Sequence, residues 1–177
     1  MLTLSFMSDH PAPPGVDTRD RWRTPAVLIR AIEFREGRRF DLDACAEAGA
    51  HHATRWIGVE DDALRTDWID RAGGVERPLC WCNPPFSRKG EFLARSWDMA
   101  LRGAVVWIIL PARPDGDLPL YADRADVMAI PSRRIAFIPP PELGIEAGGT
   151  DSTGHLLLRF VPFGHRDEVT GTRGVWL

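Results

Sequence analysis

The sequence predicts an α/β domain built on a shortened, mostly parallel sheet with helices on its flanks. Three observations carry this reading. Residues 103–110 (Gly-Ala-Val-Val-Trp-Ile-Ile-Leu) form a continuous apolar run, too β-branched for a surface strand and typical of the middle of a parallel sheet. Residues 78–82 form a second short apolar run, and Leu93, Trp97, Ala100 and Leu101 recur at helical spacing between the two. Upstream, residues 40–46 and 56–59 read as two further strands with acidic residues at their ends.

Taken in order, residues 1–20 are rich in proline and read as a flexible lead-in, with residues 21–177 as a single domain. Thr24-Pro25 starts a helix, with Thr24 as N-cap, Pro25 at the first helical position, and Val27, Leu28, Ala31 and Ile32 as its buried stripe. The strand over residues 40–46 ends at Asp43 and turns through Ala44, Cys45, Ala46, Ala48 and Gly49, small residues that let a backbone approach a ligand. The strand over residues 56–59 ends in Glu60, Asp61 and Asp62. A carboxylate at that place, about twenty residues after the first loop, is where nucleotide-binding sheets accept ribose hydroxyls. A solvated acidic turn accounts for at least two of the three. The stretch from there to Asn83 is shorter than a full doubly wound sheet needs, so a missing strand or helix is expected.

The strand over residues 78–82 runs into Asn83-Pro84-Pro85-Phe86, with Ser87 placed to cap the next helix, and the run to Leu110 stops at Pro111. A loop at the carboxyl end of a parallel strand faces the ligand crevice of an open α/β sheet. The loop suits one chemistry in particular. An aromatic amine is a poor nucleophile because its lone pair is delocalised into the ring. An Asn carboxamide oxygen and a fixed backbone carbonyl can accept both N–H groups and draw the nitrogen toward a reactive geometry. Each proline locks φ and removes an N–H, and Phe86 offers a flat face for a base. The four residues alone fit an ordinary turn after a buried strand equally well.

Composition bounds the function. A net charge of −3 gives no global attraction to nucleic acid, so binding to phosphates would rest on local clusters such as Arg88-Lys89 and Arg133-Arg134, each of which also fits a solvated face. Lys89 is the only lysine, and Arg is the better phosphate fork. Seven tryptophans exceed what packing demands, so some are expected to line a groove. Cys45, Cys80 and Cys82 lack the spacing of a disulfide or zinc set and read as reduced thiols, and His51-His52 reads as surface rather than metal site. No metal is expected. There is no signal peptide and no apolar run of membrane length, so a cytoplasmic protein is expected.

From Trp22 to about Phe137 the chain resembles the phage-type DNA N-6-adenine methyltransferases, Dam-like members of the S-adenosylmethionine-dependent amino-methyltransferases. The resemblance rests on Trp22-Arg23-Thr24-Pro25, the segment Phe40-Asp41-Leu42-Asp43-Ala44-Cys45-Ala46, Glu60-Asp61-Asp62-Ala63-Leu64 with Trp68, and the Asn83–Phe86 loop, in that order. The G-x-G of many donor loops is missing. The resemblance implies a trimmed Rossmann-like (class I) fold and methylation of adenine N6 in DNA by a phage or prophage enzyme, with S-adenosylmethionine as donor and DNA as partner. It further implies that Asn83, Pro84, Pro85 and Phe86 form the catalytic loop, and that Trp22, Thr24 and Ala44 line the donor pocket. Asp41 or Asp43 would hold the cationic end of the donor, and Glu60 or Asp62 its ribose. Arg88, Lys89, Arg133 and Arg134 would meet DNA, with Phe137 as a second stacking surface; a core Phe on an alternating strand is the plainer reading of Phe137.

After Phe137 come Pro139-Pro140-Pro141, a Gly148-Gly149 turn and a late strand over residues 156–160, which leaves little room for a separate recognition domain. Sequence selectivity would lie in residues 113–121 and 133–151, or be weak. Methylation of cytosine N4, an RNA base or a protein glutamine is the nearest rival, and a non-catalytic nucleic-acid or assembly protein on the same fold is the other. The sequence does not specify an oligomeric state.

Overall fold

Strand β4 (Val105–Pro111) is the spine of the molecule, and its alternation explains the layers around it. Val106, Ile108 and Leu110 enter one core with α3 (Lys89–Leu101), while Val105, Trp107 and Ile109 enter the other with α1 (Ala26–Glu36). A strand covered on both faces must be apolar throughout, which is why it reads as an unbroken run. The computed structural model describes residues 18–47, 49–113, 116–131, 134–141, 154–162 and 175–176.

The remaining elements are β1 (Leu42–Asp43), β2 (Arg55–Trp56), α2 (Trp68–Arg71), β3 (Leu79–Cys82), α4 (Leu118–Arg124), β5 (Val127–Ile130), β6 (His155–Phe160) and β7 (Val175–Trp176). Among the described residues they form one sheet of order β2-β1-β3-β4-β6-β5-β7. Neighbours are parallel from β2 through β4 and again at β5–β7, whereas β6 runs antiparallel to both β4 and β5. This is a mixed α/β sheet of the trimmed Rossmann-like kind. Between β2 and β3, where the short spacing predicts trimming, α2 is a single turn; among the described residues no helix lies between β1 and β2 either, which the spacing did not predict. Because β2 and β3 flank β1 on opposite sides, the strand order reverses between β1 and β3, and a crevice opens at their carboxyl ends.

Several local expectations are corrected. Thr24 is not an N-cap: α1 begins at Ala26 after an extended Pro25 (φ −67°, ψ 137°), with no side-chain capping bond. The buried stripe of α1 is Ile29, Ile32 and Glu33, while Val27 and Phe34 are 74% and 91% exposed. Glu33 is inside because its carboxylate accepts from Phe40 N (3.1 Å) and Arg39 Nη1 (3.0 Å). Gly37 ends this helix at φ 66°, a left-handed conformation that glycine adopts without strain. Ser87 caps no helix, since a 3-10 turn (Phe86–Arg88) intervenes before α3. The strand expected over residues 56–59 is only Arg55–Trp56, and a 3-10 turn takes up Val59–Asp61. Residues 134–137 adopt no regular strand.

A buried charge network ties α1 to the sheet. Arg159 of β6 donates to Glu36 (Nε–Oε1 2.8 Å) and to Asp126 (Nη1–Oδ2 2.6 Å), and Trp107 Nε1 donates to Glu36 Oε1 at 2.8 Å. Burial raises the Asp126 carboxyl despite Arg159, while the two carboxylates hold the Arg159 guanidinium above its ordinary value against burial.

Candidate active site

The register Asp43↔Trp81 brings the end of β1 beside the end of β3, and a cavity of about 380 Å³ opens there. Asp43, Ala44, Ala46, Ile57, Gly58 and Phe92 line it together with Asn83, Pro85, Ser87 and Arg88 from the loop after β3. Residues 20–24 also line it, as a strap across the sheet ends.

Asp43 is 2% exposed and accepts from Cys45 N (3.3 Å) and His52 N (3.0 Å). Burial pushes its carboxyl up to about 6, against the pull of these two N–H groups. Asp41 lies elsewhere: its carboxylate accepts from Leu79 N at 2.8 Å, pairs with Arg38 and takes no part in the cavity wall. A desolvated carboxylate facing a cavity is suited to a cationic ligand group, and Asp43 is the one so placed.

The acidic cluster divides in the same way. Asp61 pairs with Arg71. Asp62 lines the cavity at φ 49°, with its Oδ1 accepting from Leu64 N at 3.2 Å. Glu60 is exposed outside the wall, yet its carboxylate folds over Gly58, where a β-carbon would collide with it.

Asn83 donates its Nδ2 to the Trp22 carbonyl at 2.8 Å. That bond orients the carboxamide, and its oxygen accepts nothing among the described residues. The Pro85 carbonyl is used by Arg88 N (2.9 Å), whereas the Pro84 carbonyl accepts no bond among the described residues. Pro84 itself is buried. Phe86 is half-buried and does not line the cavity; it packs edge-on against Phe137 (6.1 Å) and tilted against His155 (5.5 Å). Phe137 is 2% exposed in the core, so it backs Phe86 rather than opening onto space.

On the strap, Thr24 Oγ1 and Trp22 Nε1 are buried without a partner among the described residues, and both residues line the cavity. A buried hydroxyl and indole N–H left open beside a cavity are groups that a polar ligand would satisfy. Glu47 holds the strap in place, accepting from Arg21 Nε (2.8 Å) and Arg23 Nη2 (2.9 Å), and the two arginines keep its carboxyl below the ordinary value although burial works the other way.

Of the expected nucleic-acid contacts, Arg88 is exposed and forked onto Glu91 with both bonds at 2.8 Å, Lys89 is half-buried, Arg134 is exposed, and Arg133 lies outside the described residues. Sequence reasoning missed Asp20, Arg21, Arg23, Glu47 and His52 as cavity residues. His52 in particular read as surface, and His51 stacks on Trp56 at 4.1 Å. Cys45 and Cys82 are free thiols with sulfurs 3.6 Å apart. Among the described residues no cluster of ligands suits a metal, and no helix is long and apolar enough to cross a membrane.

A sequence model of the family described as DNA N-6-adenine-methyltransferase (Dam) matches residues 14–170. The DNA N-6-adenine-methyltransferase of Haemophilus phage HP1 (strain HP1c1) is 28% identical over 125 residues, 68% of this chain and 67% of the relative. The protein of the same description from Escherichia phage T1 is 30% identical over 94 residues, 53% of this chain and 37% of the relative.

Proposed function

The chain belongs to the Dam family of DNA N-6-adenine-methyltransferases, and on that premise we propose that it transfers a methyl group from S-adenosylmethionine to the N6 amine of adenine in DNA. Both similar proteins are phage proteins, which suits a phage or prophage origin. The observation that carries the reading is the Asn83 carboxamide oxygen, open among the described residues, at a cavity that buried Asp43 also lines.

The residues present fit the donor. When bound, S-adenosylmethionine supplies an electrophilic methyl on a cationic sulfur. Asp43 would hold its ammonium group, Thr24 Oγ1 and Trp22 Nε1 would gain the partners they lack, and Asp62 would accept from the ribose hydroxyls. Ala44 and Ala46 are small enough for close backbone approach.

The adenine must leave the duplex, because its amine is out of reach inside the stack. Asn83 Oδ1 and the Pro84 carbonyl accept the two N6 protons and make the nitrogen lone pair available, while Phe86, braced by Phe137, provides the stacking face. A new N–C bond forms as the C–S bond breaks, and the methylated cationic nitrogen gives its proton to water. No general base is needed.

Incubating the protein with unmethylated DNA and S-adenosylmethionine, then digesting the DNA for mass spectrometry, should yield N6-methyladenine that Asn83→Ala does not produce. N4-methylcytosine instead, or methylation of RNA alone, would overturn the substrate assignment, and no methylated base at all would overturn the enzymatic reading.

A further inference from the structure

The catalytic loop is gripped from outside its own strand–loop–helix unit. Asp20, at the start of the strap, accepts from Ser87 N (3.1 Å) with Oδ1 and from Ser87 Oγ (2.5 Å) with Oδ2. Ser87 is the residue that follows Asn83-Pro84-Pro85-Phe86, and two residues after Asp20 the Trp22 carbonyl takes the Asn83 amide. The loop is thus held at its first residue and at the residue that follows it by the first three residues of the strap.

We propose that Asp20 is a positioning residue for methyl transfer, clasping Ser87 so that the strap and the loop move as one body and Asn83 Oδ1 and the Pro84 carbonyl keep the angle that the N6 amine requires. The proposal rests on the reading of this cavity as the methyl-transfer site. Two prolines stiffen the loop internally, but a stiff loop still swings about its ends, and Asp20 is what stops that motion at Ser87. The clasp is a pair of hydrogen bonds to a carboxylate, so it has a defined geometry as well as charge-assisted strength. The donor side of the strap has its own anchors, namely Glu47 with Arg21 and Arg23 and the paired backbone bonds between Arg23 and Ile138 (2.8 and 2.9 Å). Loss of the clasp should therefore release the loop and spare donor binding.

The test combines hydrogen–deuterium exchange, donor titration and single-turnover methylation on the full chain, comparing wild type with Asp20→Ala, Asp20→Glu, Ser87→Ala and Asp20→Ala/Ser87→Ala. Asp20→Ala should speed exchange in peptides covering residues 83–88 and not in those covering α3. It should slow the methyl-transfer step by roughly tenfold to a hundredfold, as a small misplacement of reacting groups does, with donor affinity nearly unchanged. Ser87→Ala, a surface change that keeps one of the two bonds, should fall between, Asp20→Glu should recover part of the rate, and the double variant should be no slower than Asp20→Ala. Unchanged exchange in Asp20→Ala and Ser87→Ala overturns the clasp whatever the protein methylates. Faster exchange with a wild-type transfer rate overturns the positioning role. A wild-type protein that makes no N6-methyladenine, together with faster exchange in Asp20→Ala, overturns the proposed function and leaves the clasp standing.

Discussion

Asn83 gives its amide N–H to the carbonyl of Trp22, 61 residues earlier in the chain, at 2.8 Å. The residue proposed to take the amine protons is therefore oriented by the same strap whose Trp22 Nε1 and Thr24 Oγ1, without partners among the described residues, are proposed to meet the donor. Asn83→Ala removes an acceptor whose interaction strengthens as the nitrogen changes geometry, so turnover should fall by roughly a hundredfold or more with donor affinity little altered. Calorimetric titration of the donor beside single-turnover methylation checks both halves. A wild-type rate in a folded Asn83→Ala protein would remove the loop from the chemistry.

The Arg88–Glu91 pair bears on DNA binding. Exposed ion pairs of this kind contribute little because solvent screens them, so a phosphate can compete for Arg88. Glu91→Gln should then tighten DNA binding, and Arg88→Ala or Arg134→Ala should each lower the slope of log affinity against log salt by roughly one unit. Fluorescence anisotropy across a salt series measures this. Identical slopes in all three variants and wild type would mean that DNA approaches by another face.

The parts of this molecule legible in its sequence are those where one local signal decides the structure. The run over residues 103–110 had to be a central strand because nothing polar interrupts it, and the prolines at 84 and 85 had to end β3. Signals that depend on distant partners were not legible. Ser87 looks like a helix cap until Asp20, 67 residues away, takes both of its donors. Thr24-Pro25 looks like a cap and first turn, but Pro25 is extended and Thr24 turns inward to the cavity. The choice between Asp41 and Asp43 also needed the fold, since Asp41 lies just before β1, where its carboxylate takes Leu79 N, whereas Asp43 ends the strand at the crevice. The apolar face expected of α1 failed because Glu33, held by Arg39 and Phe40 N, takes an inside position while Phe34 stays out.

Arg159 supports the fold rather than the site. Replacing it by Leu leaves Glu36 and Asp126 buried without their cation, a change that typically destabilises by about 3–5 kcal/mol. The deficit should shrink in acid. The Asp126 carboxyl, raised by burial even beside Arg159, would rise further without it, so it binds a proton more readily folded than unfolded, and stability recovers as pH falls through its folded value. Urea melts of Arg159→Leu and wild type at pH 7 and pH 5 test this, and an equal gap at both would show that the carboxylates are not the cause.

Asp43 should make donor binding and stability respond to pH in opposite directions. Its carboxyl titrates at about 6 in the folded protein against an ordinary value of 3.8, because burial disfavours the anion. Between those values the folded state binds a proton that the unfolded state has released, so this group adds stability as pH falls through 6 and withdraws it as pH rises. Holding the donor ammonium requires the anion, so affinity should be full above about pH 7 and decline as pH drops through 6. Donor binding in turn favours the anion and should draw the carboxyl below 6, releasing up to one proton per donor bound near that pH. Asp43→Ala should lose about 1–3 kcal/mol of donor affinity and flatten this dependence. Calorimetry in two buffers of different ionisation heat counts the released protons. Affinity that is equally pH-dependent in Asp43→Ala would move the titrating group to another residue.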